Sequence, residues 1–400
     1  MTIRTGWPTN SFARAAFLAA ACLWAGGAGA QGFVTTAPTA ILKDFATGTV
    51  LFEKDADEQI PPASLVKLMT VAVIFGEIEA GRLSLDDEFH VSEYAWRTGG
   101  ASSGGSTMFL PLNSQVSVDE LIKGIIIQSG NDATIVAAEG IAGSVEAFAA
   151  MMNRKGAELG LTGSTFANPH GLPDPDQRVT MRDLTVLAEH IIRDYPQYYP
   201  LFSETEFTFN GITQRSRNPL LALGADGLKT GHTSEAGFGL VASAQENGRR
   251  IVLGMSGMQT AGERAEEARK MMTYGLRSFQ TVTLLEAGAS PASAEVLGGV
   301  EPSVELTAAE SVEVLASRGT EGEFEIVAAD LTPLTAPVAQ GQPAGIARVT
   351  RGGETVIEVP LVAARAVEQA PFLQRSWDMA RGYAREAGRA AYAYVSGLIW

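Results

Sequence analysis

Three short strings constrain this chain more than anything else in it: Ser64-Leu65-Val66-Lys67, Ser129-Gly130-Asn131 and Lys229-Thr230-Gly231. They start 65 and 100 residues apart and carry a hydroxyl, two amines, a second hydroxyl and a carboxamide. For these groups to act together, the fold must bring a helix, an interhelical turn and a strand to one pocket. Each string alone is weak. A Ser-x-x-Lys occurs by chance about once in a chain of this length. Ser-Gly-Asn also reads as an ordinary turn with Asn131 as a helix N-cap. Lys-Thr-Gly is rarer, and its bland reading is a polar strand start. The informative observation is that all three occur in this order in one chain.

On a helix, Ser64 and Lys67 share a face. Pro61-Pro62 predicts a helix start near Ser64, where the helix dipole favours a developing alkoxide. Serine must lose its proton to attack, and lysine accepts that proton only if burial or a nearby cation lowers its pKa. Lys229 is the candidate cation. Ser129 and Asn131 sit in a break between helices predicted over 116–128 and 132–142. From there Ser129 can pass a proton to a leaving amine, and Asn131 can hold a substrate amide. Lys229-Thr230-Gly231-His232 predicts an edge strand, with Gly231 letting a substrate backbone lie alongside. Lys229 would supply a fixed positive field there, and Thr230 a hydroxyl for a carboxylate.

Other chemistries find little support. His90, His170, His190 and His232 are scattered, with no zinc-ligand spacing, and no phosphate-loop string occurs. No metal or cofactor is expected. The formal charge of −15 argues against a nucleic-acid partner. The stretch Thr98–Ser106 reads as a flexible glycine-rich loop bordering the site, and Asp86-Asp87-Glu88 as a solvated turn.

The first 30 residues read as an export leader. Arg4 and Arg14 precede an apolar run, Ala15 to Trp24, too short to span a bilayer, and Ala28-Gly29-Ala30 offers a cleavage site before Gln31. Cleavage takes the charge from −15 to −17 and removes the only cysteine, Cys22. A lipid-modified Cys22 is the alternative. A chain without cysteine fits an oxidising periplasm.

Strands are predicted at 38–44 and 49–54, and again at Gly237–Ala244 and Ile251–Ser256. The second pair is joined by Asn247-Gly248, a hairpin signal. An amphipathic helix follows at 261–278. Composition shifts near residue 280, and short β-type runs (Val312–Leu315, Phe324–Ala328, Ile346–Val349, Val356–Val362) predict a separate β-domain. In the last segment Leu373, Trp377, Ala384, Ala391, Val395 and Leu398 fall on one helical face. Arg375, Arg381, Arg385 and Arg389 fall on the other. That pattern fits an in-plane membrane anchor; a helix packed on the protein, or a dimer contact, would fit it too. The predicted division is therefore a leader at 1–30, a catalytic domain at 31–280, a β-domain at 281–368 and an amphipathic helix at 371–400.

With these motifs in hand, the chain resembles the penicillin-binding acyl-serine transferases, and among them the low-molecular-weight D-alanyl-D-alanine carboxypeptidases. The resemblance also runs through Gln128-Ser129-Gly130-Asn131-Asp132-Ala133, through Phe166-Ala167-Asn168-Pro169-His170-Gly171-Leu172-Pro173 and through Asp226-Gly227-Leu228-Lys229-Thr230-Gly231-His232-Thr233. It implies an α+β fold. The catalytic domain would be β-lactamase/transpeptidase-like, with an antiparallel sheet and an all-helical insert carrying Ser129.

It further implies that Ser64 attacks the penultimate D-alanine carbonyl of a peptidoglycan stem peptide, with Lys67 as base. Ser129 and Lys229 would form the proton route to the leaving nitrogen. Backbone N–H groups of Ser64 and His232 would form an oxyanion hole, whose donors are worth about 3 kcal/mol each. Arg217, in Arg217-Asn218-Pro219-Leu220-Leu221, would hold the substrate carboxylate together with Thr230. β-Lactams are implied as slow covalent inhibitors, since no Glu-x-x-Leu-Asn string is present for fast hydrolysis. The implied location is the periplasm, on the outer face of the cytoplasmic membrane, in cell-wall and cell-shape work. A D,D-endopeptidase using the same residues and a non-catalytic cell-wall-binding scaffold are the rival readings.

Overall fold

The computed structural model describes residues 33–372. The predicted leader, and the predicted C-terminal helix beyond Phe372, lie outside the described residues. Those residues form two compact units, one of 33–282 with 314–321, the other of 283–313 with 322–372. The composition break near residue 280 falls inside the strand Phe279–Leu285.

The first unit is built on a five-stranded antiparallel sheet, in the order Val50–Lys54, Thr39–Asp44, Arg249–Met258, Gly237–Glu246, Ala225–Thr233. Asn247 and Gly248 turn the hairpin at φ of 51° and 81°, the left-handed values a two-residue turn requires. The helix Ala261–Arg277 covers one face of the sheet, packing Ala268, Met271 and Met272 with Leu42, Leu240, Leu253 and Met255. The side chain of Thr260 caps it by accepting from Glu263 N at 3.0 Å.

A second core gathers around the helix Lys67–Glu79, buried continuously from Lys67 to Phe75. An apolar helix of this kind needs neighbours on all sides. The helices Asn131–Ala142, Val145–Glu158 and Met181–Asp194 contribute to the same core.

The insert departs from expectation in two ways. It is not all-helical, because Glu88–His90 pairs with Gln115–Ser117 as a short ribbon, too brief to show as a sequence pattern. Its helix Val118–Lys123, opened by a Ser117/Glu120 capping box, continues into a π-helical turn, Gly124–Gln128. The helix Glu93–Thr98 leads into the glycine-rich stretch, which holds one short 3-10 turn at Ala101–Ser103. Gly99 serves close packing there: a Cβ on it would lie 2.2 Å from Asp132 N.

The second unit holds a six-stranded sheet, in the order Phe324–Ala329, Pro343–Arg351, Glu354–Ala363, Ser303–Ala308, Ala292–Leu297, Leu334–Thr335. Only the last pair is parallel. The last three strands were not anticipated: Ser303–Ala308 and Ala292–Leu297 each turn an alanine inward, which signals strand weakly, and Leu334–Thr335 is only two residues long. Among the described residues, no single helix is long and apolar enough to cross a membrane.

Candidate active site

The structure brings the three strings together. Lys67 Nζ lies 3.0 Å from Ser64 Oγ and 2.7 Å from Asn131 Oδ1, and Lys229 Nζ lies 3.0 Å from Ser129 Oγ. Lys67, Ser129, Asn131 and Lys229 are all at most 4% exposed.

Ser64 is placed differently from expectation. The α-helix opens at Lys67, and Ser64 lies in the preceding 3-10 turn, Ala63–Val66, capped by Pro62. A loop packs closely against this turn. Gly171, at φ +86°, packs so tightly that a Cβ on it would stand 2.0 Å from the Ala63 carbonyl oxygen.

That loop is itself locked. Gln177 Oε1 accepts from the N–H groups of Ala167 and Asn168, at 3.1 and 3.0 Å, and Asn168 Oδ1 accepts from Gly171 N at 2.8 Å. Thr70 Oγ1 donates to the Pro169 carbonyl at 2.7 Å. The result is that the His170 carbonyl accepts a hydrogen bond from Lys67 Nζ.

This geometry decides which way a proton can move. Lys67 Nζ has three neighbours: two oxygens that only accept (Asn131 Oδ1 and the His170 carbonyl) and one hydroxyl, Ser64 Oγ. A neutral amine has two N–H donors and one lone pair. As an ammonium Lys67 donates to all three oxygens; as a neutral amine it gives its two donors to the carbonyls and is left with its lone pair for the serine O–H. Burial holds the Lys67 pKa well below the usual lysine value, with the charges of Lys229 and Arg217 pushing the same way. The His170 ring, lowered to about 3 by burial and by Lys67, stays neutral.

Ser129 stands at the end of the π-helical turn with φ 62°. It is held by Gly130 N donating to the Gly124 carbonyl at 3.0 Å, and Asn131 N donates to the Ser106 carbonyl at 2.8 Å. Asp132, fully buried, accepts from Thr107 Oγ1 at 2.7 Å and from Met108 N and Leu110 N at 2.8 and 3.1 Å. It thereby ties the 107–110 segment to the helix that follows Ser129.

Lys229 lies on the edge strand and also donates to the Thr230 carbonyl at 3.0 Å. Its pKa is lowered to about 7 by burial first, then by Arg217 and Arg264. Gly231 faces Gly239 across the ladder, and the absence of side chains admits Leu65. A Cβ at either glycine would come within 3.0–3.1 Å of Leu65 carbons. The glycine of Lys-Thr-Gly therefore seats the strand against the serine turn.

Arg217 donates to Ser106 Oγ at 2.6 Å and lines a cavity with Ser129, Ser216, Asn218, Lys229 and Thr230. The His232 side chain is exposed and stacks on Phe238, ring centroids 3.8 Å apart, so the cluster takes no side-chain group from it.

Sequence reasoning missed two contributors. One is the His170 carbonyl, whose only signal was the Pro169-His170-Gly171 string. The other is Arg264, 8% exposed, with its Nε unpartnered among the described residues and Nη2 donating to the Arg217 carbonyl at 3.4 Å. It has a readable signal: a cation in the first turn of a helix, where the dipole disfavours it. The arrangement offers a half-buried hydroxyl beside a buried amine (Ser64 and Lys67), a fully buried pair (Ser129 and Lys229), and a cationic pocket suited to a carboxylate.

Comparison with known proteins agrees with this chemistry. A family model described as D-alanyl-D-alanine carboxypeptidase matches residues 28–260, and one described as penicillin-binding protein 5, C-terminal domain, matches residues 279–369. D-alanyl-D-alanine carboxypeptidase DacC of Escherichia coli is 41% identical over 343 residues, covering 84% of this chain and 86% of that protein. D-alanyl-D-alanine carboxypeptidase DacA of Haemophilus influenzae is 37% identical over 351 residues, covering 86% of this chain and 88% of that protein. The crystal structure of penicillin-binding protein 5 from Haemophilus influenzae matches with a TM-score of 0.74 at 37% identity, covering 85% of this chain and 100% of that one. Penicillin-binding protein D2 of Listeria monocytogenes, solved in its ampicillin-bound form, matches with a TM-score of 0.54 at 28% identity over 62% of this chain and 99% of that one. This chain belongs to the D-alanyl-D-alanine carboxypeptidase family of serine hydrolases.

Proposed function

We propose that this serine D-alanyl-D-alanine carboxypeptidase works through an acyl-enzyme on Ser64. The observation that carries the assignment is the 3.0 Å approach of Lys67 Nζ to Ser64 Oγ, beside two carbonyl acceptors that leave the neutral amine its lone pair for the hydroxyl. Neutral Lys67 takes the Ser64 proton as Oγ bonds to the carbonyl carbon of the penultimate D-alanine in a peptidoglycan stem peptide. The N–H groups of Ser64 and His232 bind the resulting oxyanion. Ser129 then gives its hydroxyl proton to the amide nitrogen, Lys229 replaces that proton, and the C–N bond breaks to free D-alanine.

Water next attacks the ester. Its proton returns to Lys229 through Ser129, and Ser64 recovers a proton from Lys67, which restores both amines to their starting states. Arg217 and Thr230 form the pocket for the terminal carboxylate, and Arg264, bonded to the Arg217 carbonyl, adds positive charge behind it. A buried cation without an anionic partner favours peptides that end in a free carboxylate. Asn131 holds Lys67 in register and borders the peptide, and Gly231 keeps the strand close to Ser64. β-Lactams acylate the same serine, in line with the ampicillin-bound form of the Listeria relative.

The setting proposed for this reaction is the periplasm, reached through cleavage of residues 1–30. The helix of 371–400 then attaches the enzyme to the outer face of the cytoplasmic membrane. The division into 31–280 for catalysis and 281–368 for a β-domain belongs to the same proposal.

The test is incubation with a stem pentapeptide and with a cross-linked dimer. Release of D-alanine from the pentapeptide, lost in Ser64→Ala, supports the assignment. Cleavage of the dimer alone points to the endopeptidase reading, and no turnover of either points to a scaffold. Removing residues 371–400 should move the protein from the membrane fraction to the soluble one with hydrolysis intact; a trimmed protein still in the pellet refutes the anchor.

A further inference from the structure

We propose that Tyr199, Asp226 and Arg250 form a positioning clamp that sets Lys229 and Arg217 in place. The inference rests on the functional reading above. Its starting point is a mechanical difficulty. The strand Ala225–Thr233 carries Lys229 but has only one neighbour in the sheet, Gly237–Glu246, because it lies at the sheet's edge. Its ladder is also irregular where it begins: Ala225 pairs with Ala244 and Gly227 with Ser243, so Asp226 drops out of the pairing. A bulge on an edge strand, three residues before a lysine that must hold a hydroxyl at 3.0 Å, is a weak foundation unless something else fixes it.

The Asp226 side chain supplies the missing hold. Its Oδ1 accepts from the Tyr199 hydroxyl at 2.7 Å and from Arg250 Nη1 at 2.9 Å, and its Oδ2 pairs with Arg250 Nη2 at 2.7 Å. This is a two-pronged guanidinium–carboxylate contact, the geometry that gives such pairs direction as well as strength. Arg250 Nη1 also donates to Ser243 Oγ at 2.7 Å, and Nη2 donates to Gln245 Oε1 at 3.0 Å. One carboxylate therefore ties together three adjacent strands and the Tyr199–Ser203 turn. Tyr199 is 8% exposed, and burial followed by the Asp226 charge raises its phenol pKa, so it remains a donor.

The next residue carries the hold to the pocket. The Gly227 carbonyl accepts from Asn218 Nδ2 at 2.8 Å, and Asn218 directly follows Arg217. Gly227 itself lies against the phenol, so a Cβ there would stand 3.0 Å from the Tyr199 hydroxyl oxygen. The single step Asp226–Gly227 thus governs two arms. One runs through Asn218 to Arg217, the other along the strand to Lys229. None of the three clamp residues lines the cavity, so they act through these arms and not on substrate. Displacing a reacting group by about 1 Å can cost a hundredfold in rate.

The test measures kcat and KM for D-alanine release, the rate of acylation by a penicillin, and the melting temperature, in the full mature chain. Asp226→Asn and Tyr199→Phe are the clamp variants. Glu189→Gln is the control, because it breaks a more enclosed ion pair, Lys43–Glu189 at 2.7 Å, away from the pocket. Asp226→Asn is expected to lower kcat about tenfold to a hundredfold and to raise KM several-fold, and Tyr199→Phe to lower kcat/KM about threefold to tenfold. Glu189→Gln should lower the melting temperature and leave both constants within about twofold.

Clamp variants that melt earlier, as the control does, yet keep kcat, KM and acylation rate within about twofold would overturn the proposal. If Asp226→Asn does not fold, Tyr199→Phe alone decides, since it removes one oxygen and leaves the ion pair. Failure of the functional reading would look different: the wild type would release no D-alanine, or Ser64→Ala would still do so.

Discussion

Replacing Lys229 with methionine should make the protein lose stability relative to wild type as pH rises, and the size of the effect follows from the buried ammonium. The amine titrates near 10.5 when unfolded and at about 7 in the fold, where burial and the charges of Arg217 and Arg264 oppose protonation. Below pH 7 both states hold the proton, and the full cost of burying the charge falls on the native state. As pH climbs from 7 towards 10.5 the native state sheds its proton while the unfolded state keeps it, so wild-type stability rises. A difference of about 3.5 pKa units corresponds to a penalty of about 4 kcal/mol at pH 7, falling to about 1.5 kcal/mol at pH 9.5.

Lys229→Met has no such dependence at this position. It also relieves Lys67, whose pKa is partly held down by Lys229, and this adds to the difference with the same sign. Loss of the bonds to Ser129 and the Thr230 carbonyl costs about 1–3 kcal/mol, but independently of pH, so the readout is the change with pH and not the offset.

Trp96 is the sole tryptophan in residues 31–372 and lies in the catalytic unit. Urea unfolding of a chain trimmed to that range, followed by Trp96 fluorescence, therefore reports the right unit. Wild type should gain about 3 kcal/mol over Lys229→Met between pH 7 and pH 9.5. Two curves that stay parallel within about 0.5 kcal/mol would refute the claim that the fold holds this amine against its charge.

Three further outcomes follow from the same geometry. Arg217→Ala should raise KM about tenfold or more through the lost carboxylate contact. Because Arg217 depresses both lysines, its removal raises their pKa values, and the acid limb of the kcat/KM profile, set by neutral Lys67, should shift to higher pH. Gly171→Ala forces a Cβ onto the Ala63 carbonyl at a left-handed φ, so the His170 carbonyl should withdraw from Lys67 and kcat should fall at least about tenfold in steady-state assays. Asp132→Asn replaces a buried acceptor of several N–H and O–H groups with one that must turn two donors of its own towards them. Urea titration should show a loss of about 2–4 kcal/mol.

Much of the site was readable because its groups are chemically unusual and its strings short. Ser64, Lys67, Ser129, Asn131, Lys229 and Thr230 were named from spacing and chemistry, and the structure gathers them. The Lys-Thr-Gly strand was expected at an edge and lies there, though the room left by Gly231, expected to admit a substrate backbone, is taken by Leu65; the hairpin was legible from Asn247-Gly248.

What was not legible depends on tertiary contact. His170 acts through its backbone carbonyl, which every residue has, so its identity says nothing. The 3-10 turn at Ser64 lies against Gly171, more than a hundred residues away in the chain, a contact that local sequence does not encode. The ribbon Glu88–His90 with Gln115–Ser117 is only three residues long on each side, below any usable period. Asp226 stood in the family-like string with no role assigned, because the strand bulge and the pairing with Arg250 are tertiary features.

The central claim is that the Ser64 hydroxyl is the nucleophile and Lys67 its base. Peptide mapping by mass spectrometry after incubation with a labelled penicillin tests it most directly. The expected result is a single adduct on the peptide containing Ser64, absent from Ser64→Ala and formed at least about a hundredfold more slowly in Lys67→Ala. An adduct on another residue, or undiminished labelling of Lys67→Ala, would contradict the account.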